Sequence, residues 1–224
     1  MPDYRKLRLS NYFSPEFRHL NLLHFWPAVG LVFLILERFI PGVSYHPVWC
    51  PLDDLIPFNE LFLIPYLGWF VLYLWIHVYL LLKDIPAFRR FMYFLYLTYI
   101  PTLIFYAVYP TCQNLRPESF ARENILTWIM GLFYQMDTST NVCPSLHVVG
   151  SMAIAFAVWD TPGLKKPLIR WGVTALCVLI SISTVFVKQH SVVDVIAGAA
   201  LSAVVYIIVY VIPWKKGRRI GENK

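Results

Sequence analysis

The chain has 224 residues, of which 58% are hydrophobic, 17% aromatic and only 14% charged. Soluble domains carry about a quarter charged residues, so this composition excludes an ordinary soluble enzyme and points to an integral membrane protein. The formal net charge of +6 does not make it a nucleic-acid binder, because its Lys and Arg fall in short groups between apolar runs and form no continuous basic face.

In chain order, the polar stretch 1–18 carries Arg5, Lys6, Arg8 and Arg18 with no cleavable signal ahead of the first apolar run, which is therefore expected to act as an uncleaved signal anchor. Crossing a bilayer takes about 20 apolar residues. Six stretches qualify: 20–40, 58–82, 88–109, 144–162, 168–187 and 191–213. Pro27, Pro65 and Pro101 lie inside three of them as candidate kinks. Segment 117–136 has Ile125, Trp128, Ile129, Leu132 and Phe133 at helical spacing opposite Arg122, Glu123 and Gln135, and Pro117 suits a helix start. It is expected to be an interfacial helix between the third and fourth spans. The expected fold is all-α: a single membrane domain over 1–224, built as a six-helix polytopic bundle.

Orientation follows from the cations. Fifteen of the 19 Lys and Arg fall in the N-terminal stretch, the 83–90 and 163–170 connections and the C-terminal tail. The positive-inside rule makes both termini and those connections cytoplasmic, and the connections 41–57, 110–143 and 188–190 extracytoplasmic. His147, His190, Asp194 and Arg116 all fall at that outer face. Cys112 and Cys143 lie in the same outward loop, where a disulfide and two buried thiols are equally compatible with the sequence. No Gly-rich phosphate loop, metal-type Cys/His spacing or internal repeat is present.

The chemistry concentrates in two places. In STVFVKQHSVVDVIAG, His190 and Asp194 are four apart, so on a helix the carboxylate can accept from one imidazole nitrogen and leave the other aimed at substrate. An ionised carboxylate at that depth is expensive without such a partner. In CPSLHVVGS, Pro144 and Ser145 open the fourth span, whose free backbone N–H groups favour a phosphate, and His147 sits in the first turn. Small residues on the fourth span (Gly150, Ser151, Ala153) and the sixth (Ala197, Gly198, Ser202) would let the two helices approach and bring the histidines together.

Arg116-Pro117, then Pro144-Ser145-Leu146-His147, then Ser183 with His190 seven residues on and Asp194 four further, resemble the type-2 phosphatidic acid phosphatase superfamily. Its pattern is K-x6-R-P, P-S-x-H and S-R-x5-H-x3-D. The resemblance implies that His190 is a nucleophile forming a phosphohistidine, that Asp194 orients it, and that His147 is general acid and then base. It implies Arg116 and Ser145 as phosphate ligands, no metal and no cofactor, and a phospholipid or isoprenoid phosphate as substrate. Two positions depart from the pattern: Tyr109 stands where the family has Lys, and Thr184 where it has Arg. Lys188 is the candidate replacement. Fewer cations favour a diester monoanion over a monoester dianion, and in this the chain is similar to the branch that includes sphingomyelin and inositol phosphorylceramide synthases. The expected activity is a lipid phosphate phosphatase, with phospho-headgroup transfer between lipids as the alternative and a transporter or scaffold as a distant third. Asp53, Asp54 and Glu60 are read as loop charge and helix caps, with a cationic headgroup as a minor alternative.

Overall fold

The structure is a computed structural model that describes residues 2–40 and 42–212. The five cations of the C-terminal tail, and the last residue of the expected sixth span, lie outside them.

Three 3₁₀ turns (Tyr4–Lys6, Leu9–Asn11, Arg18–His24) lead into α1, Phe25–Arg38. Next come a two-residue strand β1, His46–Pro47, a short α2, Pro51–Leu55, then α3, Leu63–Lys83, and α4, Ile85–Val108. Strand β2, Thr111–Cys112, precedes α5, Ile125–Met136, and the chain ends with α6, Leu146–Asp160, α7, Pro167–Phe186, and α8, Val192–Tyr206, continued by a π-helical turn over Ile207–Val211. Among the described residues the strand pairing is limited to the parallel contact of β1 with β2, too short to read from sequence periodicity, and an antiparallel bridge between Cys112 and Thr140.

Side-chain caps set most of these boundaries. Asp84 accepts from the N–H of Ala87 to open α4, Ser145 caps α6, and Ser191 with Asp194 forms a capping box on α8. Asn124 accepts from the N–H groups of Leu126 and Thr127, so α5 starts at Ile125 and not at Pro117. Pro27 and Pro65 fall in first turns, where no N–H is needed, and only Pro101 lies in a helix interior.

Six helices run between two ends of the bundle. Helix α1 with its preceding 3₁₀ turn, α3 with its own, α4, α7 and α8 with its π turn form five segments long and apolar enough to cross a membrane. Helix α6 has 15 residues and is shorter, because Ser145 starts it late and Thr161-Pro162 ends it early. It occupies the centre, with Val149, Ala153, Ile154 and Val158 fully buried against Phe88, Phe91, Leu95 and Cys177. Apolar side chains also cover the outside, among them Ile64, Val71 and Leu74 on α3 and Ile104 on α4. A surface apolar on both sides fits a lipid solvent.

At one end the N-terminal segment meets the end of α3, where the Tyr4 hydroxyl donates to the carbonyl of Leu81, and Arg90 of α4 pairs with Asp160 at the end of α6 at 2.7 Å. The other end gathers every connection assigned to the opposite side. Residues 46–47 pair with 111–112, Gln113 donates to the carbonyl of Lys188, Arg38 donates to that of Met136, and the carboxylate of Glu37 accepts from Thr138, Thr140 and Asn141. The expected contact of the fourth and sixth spans is present where Gly198 meets α6: a Cβ there would lie 2.9 Å from the carbonyl oxygen of Ser145, so only glycine allows the approach. Gly150 instead admits the Trp69 ring of α3, not α8.

Candidate active site

The first turn of α8 builds one half of the site. Asp194 is fully buried, and its Oδ2 accepts from the backbone N–H of Ser191 at 2.9 Å and faces His190 Nδ1 at 3.2 Å. One carboxylate oxygen thus closes the capping box and orients the imidazole. Because an ionised carboxylate only accepts, Nδ1 carries the proton and the Nε2 lone pair is left for an electrophile.

Helix α6 supplies the other half. His147, in its first turn, is packed against Tyr66 and Trp69 of α3 with ring centroids 4.8 and 4.7 Å away. Its ring centroid lies 5.8 Å from that of His190 with the planes at 64°. The Nε2 of His147 has no partner. Both histidines line a cavity of about 660 Å³ whose walls include Trp26, Phe33, Tyr99 and Phe133, together with Asp137, Asn141 and Gln189. The two sequence motifs therefore meet at one cavity.

The remaining predicted residues are not at the cavity surface. Ser145 is completely buried and acts as the cap of α6, accepting from the N–H of Val148, while its own N–H bonds the carbonyl of Asp194 and ties α6 to α8. The Lys188 Nζ donates to the carbonyls of Asp53 at 2.9 Å and Ile56 at 2.5 Å, at the end of α2. Its backbone, at φ 54°, makes the left-handed turn that closes α7, with the N–H of Gln189 returning to the carbonyl of Thr184. Burial pushes the Lys188 ammonium below its ordinary range, and the nearby Asp53 and Asp54 oppose that shift.

Arg116 is also committed. Its guanidinium donates to the carbonyls of Tyr134, Asp137 and Thr138 at 2.9–3.1 Å, closing the C-terminal end of α5, and to Gln189 Oε1 at 2.6 Å. That last bond fixes the amide of Gln189, which is 3% exposed, so that Nε2 is the group left unpartnered in the cavity wall. Gln189 was visible in the sequence only as a neighbour of His190. Its role depends on a partner 73 positions away, which no local pattern reveals.

Asp53, expected as loop charge or a helix cap, caps α8. Fully buried, it accepts from Ser191 Oγ at 2.6 Å, the N–H of Val192 at 2.8 Å and the N–H of Cys50 at 2.9 Å. Burial raises its pKa, but these donors outweigh the burial and hold the carboxyl below its ordinary value. Cys112 and Cys143 are free thiols, and burial together with the charge of Asp194 pushes Cys143 up to about 12. Asp137, in the wall near Arg116 and His190, is pushed up by burial, with those two groups opposing.

A family model, the PAP2 superfamily, matches residues 90–218, more than half the chain and all six predicted site residues. The chain belongs to the PAP2 superfamily. Members of the PAP2 superfamily are in general phosphoesterases and phosphotransferases, which is the chemistry the paired histidines suit. No curated protein and no solved structure matches the chain.

For this PAP2 chain, the arginine network predicts a mixed phenotype. Arg116→Ala leaves three half-buried carbonyls without their donor and frees Gln189, so a loss of about 3 kcal/mol in stability is expected. Arg116→Lys keeps the charge but cannot span four acceptors, and kcat/KM is expected to fall about tenfold to a hundredfold. Thermal unfolding in detergent and phosphoester turnover read the two effects. An Arg116→Lys protein with wild-type turnover would show that the fork geometry is dispensable.

Proposed function

We propose that the protein is an integral membrane lipid phosphoesterase that works through a phosphohistidine at His190. The observation that carries this reading is the pair of imidazoles, 5.8 Å apart across a cavity, with a buried carboxylate behind one of them. His190 Nε2 attacks phosphorus and the bond to the leaving oxygen breaks. His147, as imidazolium, gives that oxygen a proton; the resulting neutral ring then takes a proton from water, which attacks the phosphohistidine and releases the phosphoryl product. Asp194 holds the Nδ1 proton and stabilises the positive charge on His190. Gln189, positioned by Arg116, donates to a phosphoryl oxygen.

In this reading six helices cross the bilayer, α6 being short because its neighbours shield it from lipid, and α5 lies at the interface. Both termini are cytoplasmic and the cavity opens on the extracytoplasmic side. The substrate is a phospholipid or an isoprenoid phosphate drawn from the bilayer.

One observation favours a second reading, in which a lipid alcohol replaces water as acceptor. No Lys or Arg lines the cavity among the described residues. A dianionic monoester would meet too little positive charge there, whereas a diester monoanion needs less. The purified protein, given labelled phosphatidic acid, diester phospholipids and diacylglycerol or ceramide acceptors, separates the outcomes. Water-soluble phosphorus that disappears in His190→Ala supports the esterase, and a new phosphodiester lipid supports the transferase. Intact lipid phosphorus under every condition would overturn both.

A further inference from the structure

Two buried amides in the cavity wall are turned in opposite senses by charged neighbours. The Arg116 guanidinium holds Gln189 Oε1 and leaves its Nε2 donor free. Across the sequence, the carboxylate of Glu37 accepts from Asn141 Nδ2 at 2.6 Å, which fixes that amide the other way. A flipped Asn141 would set its oxygen against a carboxylate. The Oδ1 acceptor of Asn141 is therefore the group left without a partner, on a side chain 5% exposed. Its backbone, at φ 52°, is in the left-handed region that asparagine tolerates, which lets residues 138–141 fold back onto Glu37.

Asp137 stands in the same wall. Among the described residues its carboxylate makes no ion pair, and the nearest cation, Arg116, bonds the main-chain carbonyl of Asp137 and those of its neighbours instead. Phe33 lines both this cavity and a smaller one beside it that shares Asp137 and Thr138. The wall of this one cavity carries the two imidazoles and the Gln189 amide together with the Asp137 carboxylate, the Asn141 amide and the ring of Phe33. A buried acceptor without a donor costs about 1–3 kcal/mol, a cost that a ligand N–H removes. A carboxylate next to a phosphate site repels a substrate that carries only negative charge.

We infer that the wall formed by Asp137 and Asn141 binds an ammonium group bearing N–H donors, so that the favoured substrate is a zwitterionic phosphodiester lipid with a primary-amine headgroup. Its phosphate sits between the histidines and Gln189, and its ammonium donates to Asp137 and Asn141 Oδ1. A quaternary ammonium fits the carboxylate and the aromatic face but offers no N–H to Asn141. A neutral polyol headgroup leaves Asp137 unpaired. The inference rests on the phosphohistidine reading only for where the phosphate lies.

Binding to the full-length His190→Ala protein in detergent tests the headgroup apart from turnover. The ligands are short-chain phosphatidylethanolamine, phosphatidylcholine and phosphatidylglycerol. The ethanolamine lipid is expected to bind about tenfold tighter than either of the others, as befits a charge-assisted contact. Adding Asp137→Asn should bring its Kd to within about threefold of that for phosphatidylglycerol. Equal affinities, tighter binding of the glycerol or choline lipid, or a preference that survives Asp137→Asn would each overturn the inference. If the double variant does not fold, the ranking in His190→Ala decides by itself. Turnover without label on His190 would defeat the proposed mechanism and leave this ranking standing, whereas equal affinities would defeat the ranking and leave the histidine chemistry standing.

Discussion

His190→Ala is expected to remove lipid phosphoester turnover by a factor of about 10⁴ or more, because in the proposed mechanism it deletes the atom that bonds to phosphorus. The substitution is clean. The His190 ring has one polar contact, to Asp194 Oδ2, and that oxygen keeps its bond from the N–H of Ser191 when the ring is gone. The cap of α8 survives, Asp53 still holds Ser191 and Val192, and the melting temperature should move by only a few degrees. Loss of activity with retained stability, followed by product release and thermal unfolding on one preparation, separates a nucleophile from a structural histidine. If His190→Ala kept more than a tenth of wild-type turnover, the ring would not be attacking phosphorus.

A different signature is expected for His147→Ala. In the proposed mechanism the ring donates to the leaving oxygen and afterwards activates the acceptor, so its removal should slow lipid turnover by about 10²–10⁴-fold. The first step depends on how basic the leaving group is. An alkoxide needs the proton, but a nitrophenolate leaves without it. With a nitrophenyl ester of the same headgroup, His147→Ala should therefore show a burst of nitrophenol close to one equivalent, followed by a slow phase limited by dephosphorylation of His190. Equal losses on both leaving groups, with no burst, would remove His147 from the role of acid. The ring is wedged between Tyr66 and Trp69, so a parallel Tyr66→Phe protein controls for a packing effect.

The helical plan and the two histidines were legible because each rests on a local pattern. Apolar length marks five membrane-length helices, and four-residue spacing puts Asp194 beneath His190. Small residues predicted the approach of α8 to α6, realised at Gly198, although Gly150 turned out to serve α3. What the sequence concealed is how the cations are used. Arg116 and Lys188 each donate to carbonyl oxygens at a helix end, where a cation is favoured by the exposed acceptors and the helix dipole, and no local pattern announces these partners. Lys188 is turned away by the left-handed residue that ends α7, a backbone state that its sequence neighbours do not announce. Asp53 and Gln189 act through partners more than 70 positions distant, so only the folded chain discloses them. The start of α5 shifted for a local reason: Asn124 is a stronger cap than Pro117 is an opener.

Trapping the covalent intermediate addresses the central claim most directly. The His147→Ala protein, which should form the intermediate from a nitrophenyl ester but hydrolyse it slowly, is mixed with that ester of the headgroup labelled at phosphorus, quenched and digested. The account predicts acid-labile, alkali-stable label on the peptide that contains His190, and none in a His190→Ala protein treated alike. Label on another residue, or turnover by the wild-type protein with no labelled protein at any quench time, would contradict it.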